Sequence, residues 1–556
     1  MRNLNVKRFK PISILVLTSL LLVLFSSLAN ATVRTVCASG CDYTTIQGGI
    51  DASSTGDIVM VREGTYNEVI DFKGKAIEVT GTACPEKTII DGTGKSDSVV
   101  TFTTSEGSSS IIKGFTIQNG LVTSGSGGGI VCSQTSPTID DCIITSNAAR
   151  YGAGIYSYGG SPTIKNTKIT DNTTFSPGYG GGIYLGYSSS PTITDCEVTD
   201  NYGVTFGGGF YLTMSADPDI SDTIISGNDN YTGGGGIFST NSSTATLTRC
   251  TIQSNSTQGL GGGIYTASGS GAFTITDSFI DSNTARTGGG IFMKRGITIT
   301  GSTISNNEAS ATGTNYGGGI SGDIYADLDM TDCTVTGNDG GSSGGGLHFY
   351  NCTYAQTIES STISNNTAGN GGGLYITGAD VDITNSVISG NDASSEYGGG
   401  LYANGGSLDI TNGTIANNSA DYGGGGMYTG IPTTVINSIF WGNTATYGPE
   451  AWTSNSTSKS ITYSDIDTSE VYTTGTAVTY SDNIDADPLF NKDEDIPDEE
   501  KDDYYIITDS DRTEYSGDDS PCIDEASATY APADDRVGIT RPQGSADDIG
   551  AYENND

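Results

Sequence analysis

The dominant feature of the sequence is a repeat of about 27 residues that fills its middle. A Gly-rich run followed by an apolar residue occurs twelve times, at spacings of 25 to 29 residues. Such a repeat indicates that each copy forms one structural unit and that the units stack on one another. The apolar positions are Ile130, Ile155, Ile183, Phe210, Ile237, Ile264, Ile291, Ile320, Leu347, Leu374, Leu401 and Met427.

Two polar columns keep a fixed distance from each other in every copy. The first is Asn throughout, at Asn147, Asn172, Asn201, Asn228, Asn255, Asn283, Asn307, Asn338, Asn366, Asn391, Asn418 and Asn443. Six residues before each lies the second column, which is Asp or Asn in nine of twelve copies and begins with Asp141 and Asn166. Because this offset never varies, the length differences between copies fall elsewhere.

These columns predict an all-β fold, a single parallel β-helix with three short strands in each rung. The segments between columns, such as Thr-Ile-Thr, are too short for helices and alternate as strands do. Asp, Asn and Gly tolerate the left-handed backbone of tight turns. Fifteen rungs would give a rod on the order of 70 Å long. We expect an inward Asn ladder, an N-terminal cap and a C-terminal closing module, since open sheet edges need cover.

The first 31 residues have the pattern of a cleavable export signal. Four cations precede an apolar stretch from Pro11 to Leu28, and Ala29-Asn30-Ala31 fits a cleavage site. The alternative is an uncleaved membrane anchor. No second long apolar run follows, so no transmembrane segment is expected in the mature chain. We therefore predict an extracellular or cell-surface location.

The charge balance excludes several classes of partner and site. The formal net charge is −40, which argues against nucleic acid or an anionic membrane as partner. The chain has one His, His348, so a His-cluster metal site is excluded.

The ten cysteines are too few to form the scaffold. Cys37 and Cys41 are close enough in sequence to pair near the mature N-terminus. Four others directly follow the second polar column, on rungs at least two apart, which is about 10 Å. That separation is too long for a disulfide, so we predict buried free thiols. They are Cys142, Cys196, Cys250 and Cys333.

The repeat, with its pattern of Gly-Gly-Gly-Ile-Tyr and Pro-Thr-Ile-Thr-Asp-Cys, resembles right-handed parallel β-helix proteins of the pectin-lyase-like superfamily. Its pairing of Gly-Gly-Gly-Ile with Ile-x-x-Asn also resembles the repeats of bacterial polymorphic outer-membrane proteins. The resemblance implies a right-handed solenoid and an exported, bacterial protein. It implies little about activity, because this fold carries many functions.

The two ends also resemble parts of this family. The N-terminal part, from Cys37 to Glu68, is similar to the usual cap and first rungs. The C-terminal motifs, which include Asp487-Pro-Leu-Phe490 and Ser520-Pro-Cys-Ile-Asp524, resemble the closing domain called choice-of-anchor Q. The predicted divisions are therefore a signal peptide (1–31), a cap with irregular rungs (32–120), regular rungs (121–445) and the last rungs with an acidic closing domain (446–556).

The position after each apolar residue of the Gly run is aromatic in nine of twelve copies, and strand alternation points it outward. Surface rings could contact sugar faces, which makes this column the candidate glycan-binding site. The alternative is an external ladder that only stabilises the sheet by stacking. His348 lies in the same column, which favours a ladder role over a catalytic one. The nine rings are Tyr156, Tyr184, Tyr211, Phe238, Tyr265, Phe292, Tyr375, Tyr402 and Tyr428.

An enzymatic site has less support. No Lys or Arg occurs from Gly296 to Ser458, which removes a base or a clamp for acidic sugars from that half of the rod. Cations occur earlier, between Lys113 and Arg295, and the acids Asp140 and Asp141 lie among them. The leading hypothesis is non-catalytic binding of an extracellular polysaccharide or cell-surface glycan, or adhesion. The alternatives are a polysaccharide lyase or glycoside hydrolase, and a passive rod.

The segment from Asn491 to Tyr504 contains eight acids and two lysines. Its functional interpretation is a Ca²⁺ site at Asp493, Asp495, Asp498 and Glu499, because hard cations take several carboxylates from such loops. The alternative is a solvated charged loop. No other cofactor is predicted.

Overall fold

The computed structural model describes residues 31–310, 315–455 and 457–488. The predicted signal segment lies almost wholly outside these ranges, as do the four candidate Ca²⁺ ligands and most of the closing-domain motifs. The described chain is a parallel β-solenoid, as predicted, with three main sheets and a short strand between the second and the third. One α-helix, Ile46–Ala52, and two 3₁₀ turns, Pro85–Lys87 and Thr468–Glu470, interrupt the strands.

Sheet A contains the first strand of each rung. Its eighteen strands are Val33–Val36, Ile58–Val61, Glu78–Gly81, Ile111–Lys113, Thr138–Asp140, Thr163–Lys165, Thr192–Thr194, Asp219–Ser221, Ala245–Thr248, Phe273–Thr276, Gly296–Thr300, Asp327–Thr331, Gln356–Glu359, Ala379–Thr384, Gly406–Thr411, Thr433–Ile436, Lys459–Thr462 and Thr479–Ser481.

Sheet B contains the second strand of each rung. Its fifteen strands are Gly64–Tyr66, Thr88–Asp91, Thr116–Gln118, Ile143–Thr145, Lys168–Thr170, Glu197–Thr199, Ile224–Ser226, Thr251–Gln253, Phe279–Asp281, Thr303–Ser305, Thr334–Thr336, Thr362–Ser364, Val387–Ser389, Thr414–Ala416 and Ile439–Trp441.

Sheet C contains the strand that follows the Gly run in each of the twelve repeat copies, and it continues over two strands at either end. Its sixteen strands, at about 4.8 Å each, give a rod roughly 75 Å long. They are Ile70–Asp71, Val100–Phe102, Ile130–Ser133, Ile155–Tyr158, Ile183–Gly186, Phe210–Leu212, Ile237–Ser239, Ile264–Thr266, Ile291–Met293, Ile320–Asp323, Leu347–Tyr350, Leu374–Thr377, Leu401–Ala403, Met427–Thr429, Ala451–Thr453 and Val471–Thr473.

Short strands link sheet B to the Gly run. They form an eight-stranded and a four-stranded sheet, with members Leu121–Ser126, Ala148–Tyr151, Thr173–Tyr179, Tyr202–Gly203, Asp229–Asn230, Ser256–Thr257, Thr284–Ala285, Glu308–Ala309, Thr367–Ala368, Asp392–Ala393, Ser419–Gly423 and Thr444–Tyr447.

The turn between sheets A and B confirms the prediction made for the second polar column. All twelve of its residues have φ between 48° and 59°. Asp and Asn tolerate this conformation because their short side chains bond locally. Arg249 and Ser360 adopt it too, so the geometry of the rung prevails over local preference at those two positions.

The Asn column is buried and forms one continuous row of hydrogen bonds. In each of eleven links, Nδ2 of one Asn donates to Oδ1 of the Asn on the next rung, at 2.9 to 3.1 Å. Oδ1 also accepts the backbone N–H of the preceding Asn, as Asn172 does from Asn147 at 3.0 Å. Satisfied amides of this kind keep the polar core of each turn stable.

Glu450 ends this row. Asn443 donates its Nδ2 to Oε2 of Glu450 at 2.6 Å, and its backbone N–H also bonds to the carboxyl group. Glu450 thus accepts the two bonds that a further Asn would accept. Its side chain is almost completely buried, and burial raises its pKa to about 7, although both bonds from Asn443 act in the opposite direction.

The small-residue position after the A–B turn holds the four predicted thiols, which are buried and unpaired as expected. Ser or Thr occupies this position on the neighbouring rungs and accepts the backbone N–H of the Cys, as Thr167 does for Cys142 at 3.3 Å. Burial raises the pKa of each thiol, to about 11 for Cys250. These cysteines are therefore inert packing residues.

The N-terminal end is covered by the α-helix. Thr45 caps it by accepting the backbone N–H of Gly48, and Ile46 and Ile50 pack into the core. Cys37 and Cys41 form a disulfide beside it, with Cα atoms 5.5 Å apart. The helix therefore supplies the lid that a solenoid needs over its first rung.

Candidate functional site

The nine predicted glycan-contact rings lie in register along the outer side of sheet C. Parallel pairing aligns them rung by rung, as with Tyr184 and Tyr211 or Tyr375 and Tyr402. The apolar residue before each ring points inward and is fully buried. Strand alternation thus directs the rings outward.

The rings stack mainly on one another. Tyr156 and Tyr184 lie 4.9 Å apart with ring planes at 26°, and Tyr402 and Tyr428 lie 4.8 Å apart at 4°. Tyr265 is turned, and meets its two neighbours edge to face. Since most partners lie above and below along the rod axis, most ring faces are already covered.

The column is therefore not the open platform that face-to-face contact with a sugar requires. None of its nine rings is exposed, and Tyr184, Phe238 and Phe292 are buried. A second row of rings, just before the Gly runs, adds cover. Tyr179 lies 5.0 Å from Tyr211, and Phe206 lies 4.3 Å from Phe238. The six rings that stay partly exposed are all tyrosines.

His348 continues the ladder as a ring. It stacks 5.0 Å from Tyr316 and 5.2 Å from Tyr375, and Ser321 Oγ lies 3.2 Å from its Nδ1. Ser321 takes a column position that is aromatic on most other rungs. Burial lowers the pKa of His348 to about 4, so the imidazole is neutral at physiological pH. Among the described residues no carboxylate is bonded to this pair to orient it as a catalytic dyad.

Acids and cations meet on the outer side of sheet A. Lys113, Asp140 and Lys165 are successive members of one column, with Asp140 Oδ2 2.9 Å from the Lys113 amine and 3.7 Å from the Lys165 amine. Burial opposes ionisation of Asp140, but hydrogen bonds from Asn166 and Lys113 hold its pKa below the usual value. Asp140 in turn raises the pKa of Lys113. Asp141 is exposed in the left-handed turn, so the two adjacent acids are separated.

Further rings beyond the last Gly run were not identified as site residues from the sequence. Trp452 pairs with Tyr428 on sheet C, and Tyr472 pairs with Trp452. A signal for them existed, since each follows an apolar residue at a strand position of sheet C. It was hidden because no Gly run precedes Val471, so the repeat period is lost there.

The described part of the chain contains no group of three or more Asp, Glu, His or Cys placed to hold a metal ion. The candidate Ca²⁺ ligands lie outside it. No helix within residues 31–310, 315–455 and 457–488 is long and apolar enough to cross a bilayer.

The rung geometry and the sequence together identify the family. The description "Right handed beta helix region" matches residues 98–280 and 236–406, which together span 309 of the 556 residues. The chain therefore belongs to the right-handed β-helix family, which fixes the hand of the solenoid.

Several solved structures are similar at low identity. Pectin methylesterase from carrot is 14% identical, covering 55% of this chain and 85% of that chain, with a TM-score of 0.26. The A-module of mannuronan C-5 epimerase AlgE6 from Azotobacter vinelandii is 14% identical, covering 80% and 94%, with a TM-score of 0.29. Pectate lyase Pel9A is 12% identical, covering 95% and 98%, with a TM-score of 0.27. No curated protein sequence matches the chain. At these values the likeness carries no functional argument.

Proposed function

We propose that this chain is an exported rod that binds extracellular glycan without converting it. The observation that carries the proposal is the row of seven tyrosines along sheet C. Their ring faces are mostly stacked on one another, and all of them except the buried Tyr184 are partly exposed. Tyrosines lie on adjacent rungs from Tyr156 to Tyr211 and again from Tyr375 to Tyr428, and hydroxyls in such groups suit hydrogen bonding to a polysaccharide laid along the rod. The seven are Tyr156, Tyr184, Tyr211, Tyr265, Tyr375, Tyr402 and Tyr428.

The acid–cation column on sheet A argues against the alternative of a lyase or hydrolase. A lyase base must be neutral, whereas the bond to Asp140 raises the pKa of Lys113. A general acid needs a raised pKa, whereas that of Asp140 is lowered. The column is therefore an ion-pair network, and it contains neither a neutral lysine base nor a carboxyl group of raised pKa.

The test is size-exclusion chromatography of the full chain with a panel of soluble polysaccharides, together with a reducing-end assay. Co-elution with unchanged polymer size is the expected result. The double variant Tyr211→Phe/Tyr265→Phe keeps both rings but removes two hydroxyls, and should weaken binding. Tyr325→Phe is the matched control, since Tyr325 is an exposed tyrosine in a turn outside the row. A fall in polymer size with time would refute the non-catalytic proposal.

The location of the protein outside the cytoplasm is part of the same proposal. Residues 1–31 act as a cleavable signal, and residues 446–556 contribute a closing module like choice-of-anchor Q, on a bacterial protein whose repeats are like those of polymorphic outer-membrane proteins. Sequencing of the secreted protein should give Thr32 as its first residue. A mature protein that retains residues 1–31 would contradict the signal assignment.

Calcium at Asp493, Asp495, Asp498 and Glu499 also remains a proposal. Removal of Ca²⁺ by a chelator should lower the melting temperature, because a bound ion stabilises only the folded chain. An unchanged melting temperature would refute the site.

A further inference from the structure

Six aromatic rings gather where the sheet C ladder ends. We call Tyr397, Tyr422, Tyr428, Tyr447, Trp452 and Tyr472 the terminal aromatic cluster. From Tyr375 to Tyr428 the ladder is regular, with ring planes at 4° to 5° in both steps. The next ring, Trp452, lies at 52° to Tyr428, and Tyr472 meets Trp452 edge to face at 77° and 4.7 Å. Face-to-face stacking of successive sheet C rings therefore ends at Tyr428.

A glycine makes room for the tilted indole of Trp452. Gly423 lies between Tyr397 and Tyr447 in the row that precedes the Gly runs, as its pairing with both residues shows. A Cβ atom at Gly423 would collide with Cε3 of Trp452. The indole therefore packs directly against the backbone, in space that a side chain would fill.

The cluster exposes aromatic surface that the ladder does not. Tyr422, Tyr447 and Tyr472 are 42% to 45% exposed, whereas none of the nine ladder rings is exposed. Tyr447 lies 5.2 Å from Tyr422 at 57° and 5.7 Å from Tyr472 at 46°. Tyr422 also stacks on Trp452 at 5.7 Å and 27°, which covers one of its faces. Tyr447 and Tyr472 meet their neighbours only at tilts of 46° or more, so part of their ring surface stays open to a ligand.

The charge around these rings is negative. Glu396 and Asp421 directly precede Tyr397 and Tyr422 in the chain, Glu470 lies two residues before Tyr472, and all three acids are exposed. The sequence has no Lys or Arg from Gly296 to Ser458, and Lys459 has its amine bonded to Ser454 and Thr457. The whole chain adds to this field with its net charge of −40. Such a surface repels uronate polymers and attracts cations within about 10 Å at moderate salt.

Open aromatic faces bordered by carboxylates define a ligand class. The rings bury the apolar face of a pyranose, and the same faces attract an ammonium group. We propose that the terminal aromatic cluster binds a polymer of amino sugars with free ammonium groups, which its carboxylates pair. This inference rests on the proposed glycan binding and names the sugar class and the place.

The experiment is a titration of the full chain with a glucosamine hexamer, followed by tryptophan fluorescence and calorimetry. The N-acetylated hexamer serves as the neutral ligand and a galacturonate hexamer as the anionic one. The glucosamine hexamer should bind most tightly, with an affinity that falls as salt is added. Tyr447→Ala/Tyr472→Ala should weaken binding about tenfold or more. Glu396→Gln/Asp421→Asn should reduce both the affinity and its salt dependence.

Tyr325→Ala is the matched control, and circular dichroism checks that each variant keeps its fold. Equal or tighter binding of the galacturonate hexamer would overturn the proposed sugar class. Glucosamine binding that survives both cluster variants but falls in Tyr211→Phe/Tyr265→Phe would overturn the place and leave glycan binding standing. If no glycan binds, both proposals fail.

Discussion

Replacement of Glu450 by Gln should remove a pH-dependent weakness at the C-terminal end of the rod. Gln keeps an oxygen acceptor for the Nδ2 of Asn443, and it carries no charge at any pH. The pKa of Glu450 is raised from 4.5 to about 7, and the group is 3% exposed. A shift of this size corresponds to about 3 kcal/mol at roughly 1.4 kcal/mol per pH unit.

The direction follows from proton counting. Below pH 4.5 the carboxyl group is protonated in the folded and in the unfolded state, so it does not change the free energy of unfolding. Between pH 4.5 and 7 the folded state holds a proton that the unfolded state has released, so stability falls as pH rises. Above pH 7 the full penalty applies. Glu450→Gln should therefore match the wild type at pH 4 and exceed it by about 3 kcal/mol at pH 8.

Tryptophan fluorescence during urea unfolding measures this effect where it acts. The chain has two Trp, Trp441 and Trp452, and both lie in the last rungs near Glu450. Because rungs contact only their neighbours, the terminal rungs report their own stability. Glu308→Gln is the control, since Glu308 is exposed on a distant rung. Wild-type and Glu450→Gln midpoints that stay parallel from pH 4 to pH 8 would refute the reasoning.

Three further expectations can be checked separately. His348 should show no protonation shift in its NMR ring signals between pH 8 and pH 5.5, because burial lowers its pKa to about 4; a midpoint near 6.5 would contradict this. Iodoacetamide at pH 8 should alkylate the exposed Cys84 in the folded protein and leave Cys250 unmodified until it is unfolded, as mass spectrometry would show. Asn255→Ala should lower the free energy of unfolding in urea by about 3 to 5 kcal/mol, since it removes the acceptor of two Asn228 N–H groups and the donor to the Ile225 carbonyl; a loss below 1 kcal/mol would show that the ladder is dispensable.

Local turn chemistry made most of the fold predictable. Asp141 and its equivalents were identified because a left-handed turn selects Asp, Asn and Gly whatever the rest of the rung does. The second left-handed position, directly before each ladder Asn, was not identified, although all twelve of its residues have positive φ. Its residues vary among Ser, Asp, Asn and Gly, so no single residue type marks the column.

The exposure of the candidate site could not be predicted in the same way. Strand alternation fixed the outward direction of Tyr211, but the cover over it comes from Tyr179, which lies across the Gly turn on the preceding rung. That contact depends on how the rung closes. Glu450 was missed for a similar reason, because its place at the end of the ladder becomes visible only when Asn443 and Glu450 meet inside the rod.

The Asn row also bears on how such a protein can change its length over evolution. Every link has the same donor on one rung and the same acceptor on the next, from Asn147 to Asn443. Loss or duplication of one whole rung would join an identical donor to an identical acceptor, and the Asn row would need no compensating substitution. The last acceptor, Glu450, differs from all the others. Rungs can therefore be gained or lost by unequal recombination anywhere along the Asn row, whereas the rung that carries Glu450 must be kept.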